Sequence, residues 1–213
     1  MATSRLIALT GGIASGKTLV ETYLAGRDIP VEDADAVVHR LLSKDDIVKA
    51  RIRQAFGGSV FSDDGTVDRR ALGALVFENP ERRQLLESWL HPAVREALMA
   101  FRRQHAENPV VVVSIPLLFE SDLQYAYPEV WLLVCEENLQ MERLMTYRGL
   151  SREEALARIY SQMPMIEKQK LLNEHPNGKV ILNRETLQAL YQQVDALLAA
   201  ETSPPSGNYM KHE

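Results

Sequence analysis

Cysteine is almost missing from this 213-residue chain. Cys135 is the single one, so no intramolecular disulfide can form. It ends the apolar run Val130-Trp131-Leu132-Leu133-Val134-Cys135, which reads as a buried strand, where a thiol is a packing group rather than a nucleophile. No uninterrupted apolar run approaches the roughly 18 residues of a membrane-spanning helix. The first apolar run is short and passes straight into a glycine-rich loop, unlike a secretory signal. Positive charge is also scarce: 24 Lys+Arg stand against 29 Asp+Glu, a net charge of −5. That argues against nucleic acid as the main partner, while leaving room for a local basic pocket that takes a small anion. The histidines (His39, His91, His105, His175 and His212) share no metal-ligand spacing. There is no internal repeat and no extended low-complexity segment. These absences lead to the expectation of a soluble cytoplasmic protein that binds neither membrane nor nucleic acid, with a monomer favoured and an oligomer left open.

What the chain has is a phosphate-binding loop. Gly11-Gly12-Ile13-Ala14-Ser15-Gly16-Lys17-Thr18 fits G-x-x-x-x-G-K-[ST] at every defined position. Glycines let the backbone curl so that several N–H groups point into one concavity, which is an anion site. Lys17 is placed to reach the β- and γ-phosphates of a nucleotide, and the Thr18 hydroxyl to ligate Mg²⁺. An apolar run at residues 5–9 reads as the strand before the loop, and residues 19–25 have helical spacing after it.

Strand and helix signals alternate through the rest of the chain, predicting a mostly parallel five-stranded sheet covered by helices. Further strands are expected at residues 29–31, 110–115, 130–135 and 180–182. The unbroken β-branched run Val110-Val111-Val112-Val113 predicts a central strand buried on both faces. The hydrophobic content of 46% suffices for a sizeable core. Helices are expected at about residues 35–42 and 45–56. Residues 43–108 are too long for an ordinary crossover and read as an inserted helical substrate subdomain. Residues 139–172 read as an exposed, charged helical pair. Residues 201–213, small and proline-rich, read as a flexible tail. The nucleotide core is then about residues 1–42, 109–138 and 179–200.

Glu32-Asp33-Ala34-Asp35 follows the second strand. In an open parallel sheet, ligands gather at the carboxyl ends of strands. A carboxylate there can accept a proton from an attacking hydroxyl or hold Mg²⁺ through water. Asp33 and Asp35 face one side if the strand extends through them. Asp35 is read as catalytic, whereas Asp33 suits substrate contact and helix capping equally.

Together these segments resemble the dephospho-coenzyme A kinase family, over nearly the whole chain from Leu6 to Leu198. The opening loop Leu9-Thr10-Gly11-Gly12-Ile13-Ala14-Ser15-Gly16-Lys17 is similar to the family's, as is Asp33-Ala34-Asp35 with His39. Phe56-Gly57, Asp64-Gly65, Asp68-Arg69, Leu72, Phe77 and His91-Pro92 follow in family order, and Pro116-Leu117-Leu118-Phe119-Glu120 resembles the segment after the third strand. Glu142-Arg143-Leu144-Met145, Arg148, Arg158, Gln162-Met163-Pro164 and Lys168 resemble a mobile lid.

The resemblance implies a three-layer α/β phosphate-loop fold with a coenzyme A-binding insertion and a lid. It also implies an activity: ATP plus dephospho-coenzyme A gives ADP plus coenzyme A, with Mg²⁺ accompanying ATP. By motif position, Asp35 is the catalytic base, assisted by Lys17 and Arg148. Gly12, Ile13, Ala14, Ser15, Gly16, Lys17, Thr18, Leu19, Arg148 and Asn183 lie at ATP, with Arg148 on the phosphates and Asn183 beside adenine. Thr10, Asp33, Asp35, Arg69, His91, Leu117, Leu118 and Glu120 lie at the acceptor.

Some positions depart from the family pattern. Ala14 stands where glycine is common, a methyl tolerated in an ordinary backbone region. Ser114 stands where some relatives have Asp. Residues 171–178 and Arg184 are also unusual. The arginines Arg143, Arg148, Arg152 and Arg158 fit either a closing lid or a solvated, salt-bridged helix face. Other small-molecule kinases share the loop, but not the insertion or the Pro116–Glu120 segment. A GTPase switch lacks its Asn-Lys-x-Asp signal here. A non-catalytic ATP-binding subunit is the remaining alternative.

Overall fold

The computed structural model describes residues 4–77 and 79–200. The proposed tail, 201–213, lies outside the described residues. A parallel sheet organises the fold. Its strands are β1 (Arg5–Gly11), β2 (Val31–Asp33), β3 (Val110–Ser114), β4 (Glu129–Val134) and β5 (Gly178–Leu182), in the order β2-β3-β1-β4-β5. β1 is central. It pairs in parallel with β3 from Arg5↔Val110 to Leu9↔Ser114, and with β4 from Ile7↔Glu129 to Gly11↔Leu133. All of β4 and all but the first residue of β1 are buried, which explains their continuous apolar sequences. β5 alternates towards solvent, with Val180 and Leu182 more than a third exposed, as an edge strand can.

Two compact units make up the chain: 1–31 with 105–213, and 32–104. In the first, helices α1 (Lys17–Ala25) and α9 (Leu187–Ala199) cover the sheet. Ile7, Leu9, Val20, Leu24, Val112, Trp131, Leu133, Ile181, Leu190 and Val194 form its core. Each fully buried large side chain contributes about 1.5–3 kcal/mol. The charged start of β1 is satisfied locally. Arg5 forks onto the Glu129 carboxylate at 2.6 and 2.7 Å and donates to the Leu197 and Leu198 carbonyls, while the Trp131 indole donates to Glu129. Three helices lie in the expected lid region, rather than a pair: α6 (Glu137–Arg148), α7 (Arg152–Tyr160) and α8 (Met165–Glu174). Ser151 and Glu154 form a capping box at α7, and α8 packs on β4 and β5.

The second unit holds α2 (Ala34–Lys44), α3 (Asp46–Phe56), α4 (Arg69–Phe77) and α5 (Pro80–Gln104). Its core includes Leu42, Val48, Ile52, Phe56, Val60, Leu72, Leu86 and Leu90. The unit starts at Glu32, so it takes in α2 as well as the insertion expected from residue 43. The His91-Pro92 pair lies inside a helix. α5 runs through Pro92, and His91 is exposed in mid-helix. A proline lacks only its own N–H, and a long helix packed along its length tolerates that loss with a local bend.

Candidate active site

The phosphate loop lies between β1 and α1, at the carboxyl end of the sheet's central strand. Gly16 is in the left-handed region (φ 96°), and a Cβ there would come within 2.3 Å of Asn183 Nδ2, so glycine is required twice over. Ala14 also has φ 56°. The ordinary backbone region expected for it is therefore not the one it occupies, and an L-residue there costs about 1–2 kcal/mol.

A ring of side chains holds the loop from outside. Gln140 Nε2 donates to the Ile13 carbonyl at 2.6 Å, Arg143 Nη1 to the Ala14 carbonyl at 3.0 Å, and Asn183 Nδ2 to the Ser15 carbonyl at 2.7 Å. Three successive carbonyls are thus drawn outward, and a loop fixed this way can present its N–H groups inward to an anion. Asn183, expected beside adenine, is almost wholly buried with its amide on the loop. Arg143 also donates to Cys135 Sγ at 3.3 Å. Burial pushes the Cys135 thiol above its ordinary value, and the Arg143 charge only partly opposes this.

Lys17 Nζ pairs with Glu21 Oε1 at 2.6 Å and donates to Ser114 Oγ. The Ser114 hydroxyl in turn donates to the same Glu21 oxygen. The site therefore gathers a cation, a carboxylate and a hydroxyl beside the exposed Thr18 at the start of α1. Hard oxygen donors of this kind suit Mg²⁺. Among the described residues no group of three His, Cys, Asp or Glu could hold a metal; an ion carried mainly by nucleotide phosphates needs none.

Of the acceptor-side residues in the first unit, Thr10 is fully buried and its hydroxyl donates to the Pro116 carbonyl at 3.3 Å. Leu118 is fully buried too, whereas Leu117 is 46% exposed. Glu120 Oε1 accepts from the Met163 N–H at 3.1 Å and pairs with the buried Lys168 ammonium at 2.7 Å.

In the second unit the helix begins at Ala34, so β2 does not extend through Asp35 and the expected shared strand face is absent. Asp33 caps α2 instead, accepting from the N–H groups of Asp35 and Ala36 at 2.7 and 3.0 Å. Asp35 is exposed in the first turn of α2. Arg69, at the start of α4, donates to His39 Nδ1 at 3.3 Å, bringing together two residues 30 apart in sequence. His91 stands on α5, which packs against α2 and α4, the helices that carry His39 and Arg69. Arg148 ends α6, exposed, just before Gly149.

Sequence reasoning missed Glu21, Gln140 and the loop-holding role of Arg143. Glu21 had a signal, since it is one helical turn from Lys17. Gln140 had none, because its partner is 127 residues away.

A parallel α/β sheet with this loop, lysine and hydroxyl at its central strand defines a phosphate-loop nucleotide-binding fold. Comparison with known proteins narrows the class. The dephospho-CoA kinase family profile matches residues 5–188. The dephospho-CoA kinase of Shouchella clausii is 40% identical over 194 residues, covering 90% of this chain and 96% of that one. That of Synechococcus sp. is 42% identical over 191 residues, covering 86% and 92%. Among solved structures, one from Thermus thermophilus superposes with a TM-score of 0.78 at 36% identity, covering 95% of this chain and all of that one. The dephospho-CoA kinase from Campylobacter jejuni gives 0.65 at 26% identity, covering 90% and 96%. The chain belongs to the dephospho-CoA kinase family and is a kinase. Among the described residues no helix is long and apolar enough to cross a membrane.

Proposed function

We propose that this protein transfers the γ-phosphoryl group of ATP to the ribose 3′-hydroxyl of dephospho-coenzyme A, giving coenzyme A and ADP. The observation that carries this reading is the phosphate loop, held by Gln140, Arg143 and Asn183 with Lys17 at its mouth, in a chain of this family. Phosphoryl transfer needs alignment and charge neutralisation more than covalent help. The loop N–H groups and Lys17 hold the triphosphate and disperse the charge that develops on it. Binding requires Lys17 to turn from Glu21 towards phosphate. The Thr18 hydroxyl holds Mg²⁺, which when bound supplies charge neutralisation at the phosphates. Asp35 accepts the hydroxyl proton as that oxygen approaches phosphorus; because the transition state is loose, an ordinary carboxylate suffices.

Asp33 orders the turn that presents Asp35. Arg69 and His39 form a basic spot that suits an anionic acceptor. Unit 32–104 supplies the coenzyme A-binding subdomain, residues 139–172 the lid, and Arg148 a phosphate contact upon closure that helps exclude water. The protein works in the cytoplasm.

The test is direct. Purified protein with Mg²⁺ and ATP is given dephospho-coenzyme A, shikimate or a nucleoside monophosphate, and products are identified by mass and by 3′-specific phosphatase digestion. Expected is 3′-phosphorylated product from dephospho-coenzyme A alone, with GTP a poor donor. No such product, or equal turnover of the other acceptors, overturns the reading.

A further inference from the structure

The base of the proposed lid is fastened to the phosphate loop by one side chain that the reaction does not otherwise use. Gln162 lies between α7 and α8. Its Oε1 accepts the Ile13 N–H at 2.7 Å, while the Ile13 carbonyl accepts from Gln140. Both polar groups of a single loop residue are therefore held by two glutamines, one from α6 and one from the α7–α8 junction. A backbone N–H in an anion-binding loop is a donor the loop would otherwise offer to phosphate or water.

The neighbouring geometry is built around this contact. Gly12 is not in the left-handed region. A Cβ there would nevertheless meet Gln140 Nε2 at 2.8 Å, Met165 Cε at 3.4 Å and Gln162 Oε1 at 3.8 Å. Glycine at this position makes room for the Gln140 amide, while Met165 and Gln162 of the junction lie at ordinary contact distance beyond it. The next residue, Met163, gives its N–H to Glu120, whose carboxylate is paired with the fully buried Lys168 of α8. Pro164 then immediately precedes α8 and has no N–H to offer. The junction is thus pinned at two successive residues, once to the loop and once to the segment after β3.

We propose that Gln162 is a positioning residue that transmits the state of the phosphate loop to α7 and α8. The proposal rests on the lid reading above. A loop that tightens around a triphosphate shifts Ile13, and Gln162 carries that shift into the junction. Without the amide acceptor, the loop still binds nucleotide, but the lid no longer follows.

The experiment measures hydrogen–deuterium exchange of residues 160–168, with and without a non-hydrolysable ATP analogue, in the full chain and in Gln162→Ala, alongside analogue affinity and turnover. The wild type should exchange more slowly with the analogue. In Gln162→Ala that slowing should vanish, kcat should fall about tenfold and the dissociation constant should change less than threefold. Gln162→Glu, which keeps an acceptor for Ile13, should retain the slowing while its added charge raises KM for ATP. If Gln162→Ala does not fold, Gln162→Met takes its place, filling the volume without an acceptor. Wild-type slowing in the acceptor-free variant overturns the proposal alone. A wild type whose lid ignores the analogue overturns the lid reading and this proposal together. Absence of coenzyme A product with normal slowing counts only against the assigned reaction.

Discussion

Lys17 and Glu21 stand one helical turn apart on α1, with Nζ 2.6 Å from the carboxylate, and Ser114 hydrogen-bonds both. The ammonium is therefore neutralised at the mouth of a loop designed for anions, and it is kept in place by side chains from two elements. In the proposed reaction a triphosphate should draw it off, because several phosphate charges outweigh one carboxylate. Lys17→Ala removes that charge from the transition state, and kcat should fall by about 10²–10³. Circular dichroism should show an unchanged fold. A variant that retains most of its turnover would mean that the loop does not hold the reacting phosphates.

Asp33 and Asp35 differ in task although they are two residues apart. The Asp33 carboxylate is engaged by the first N–H groups of α2, and Asp35 lies exposed on the first turn. Asp35→Asn should lower kcat by about 10²–10⁴, the usual contribution of a general base, with ATP affinity within a few-fold of wild type. Asp33→Ala should cost about 0.5–2 kcal/mol of stability through the lost cap, read as a shift in the denaturation midpoint. An Asp35→Asn protein within tenfold of wild-type kcat would remove Asp35 from the reaction.

Asn183 follows β5 and reaches the phosphate loop with its side chain. It is nearly fully buried, and its amide holds the Ser15 carbonyl at 2.7 Å. Asn183→Ala should cost about 1–3 kcal/mol, the usual penalty for leaving a buried partner unpaired, and should weaken ATP binding as the loop loosens. Asn183→Asp should be worse than alanine, since a carboxylate facing a carbonyl has no hydrogen to give and adds negative charge beside the phosphates. Equal stability and affinity for the aspartate variant, measured by denaturation and titration, would refute the anchor.

These anchors mark where the sequence stops being readable. The loop itself was legible, because glycines, lysine and threonine at fixed offsets encode a local conformation. The strands were legible within a few residues, because β1, β3 and β4 are buried on both faces and so are apolar throughout. The Asp33 cap was recognised as one of two options, and the start of α2 at Ala34 is what realises it. Gln140, Arg143 and Gln162 gave no local sign of holding the loop, since polar residues on a charged stretch look the same whether they face solvent or a backbone carbonyl or N–H more than a hundred residues away. The unusual stretch before β5 has a structural use that spacing could not show. His175 is buried, accepts the Asn177 N–H at Nδ1 and therefore donates from Nε2 to the Tyr127 carbonyl, tying the end of α8 to the start of β4.

Cys135 supplies a pH signature. Burial raises its thiol above the ordinary value of about 8.5, while the unfolded chain titrates near that value. The folded protein then binds this proton more tightly than the unfolded one. Its contribution is fully present below the unfolded value and is lost as pH rises from there towards the folded value. Tyr23 and Tyr160 are also raised, the first chiefly by desolvation and the second chiefly by its hydrogen bond to Glu137, so they act in the same direction nearer pH 10. Comparing wild type with Cys135→Ala cancels the tyrosines. Between pH 7 and about 9.5, the denaturation midpoint of the wild type should fall further than that of the variant, whatever stability the lost sulfur packing costs at pH 7. In the native protein at pH 8 a disulfide-exchange reagent should label the thiol slowly, and it should label it at once in denaturant. Parallel pH profiles, or fast labelling of the folded protein, would show that the thiol is neither shielded nor proton-holding.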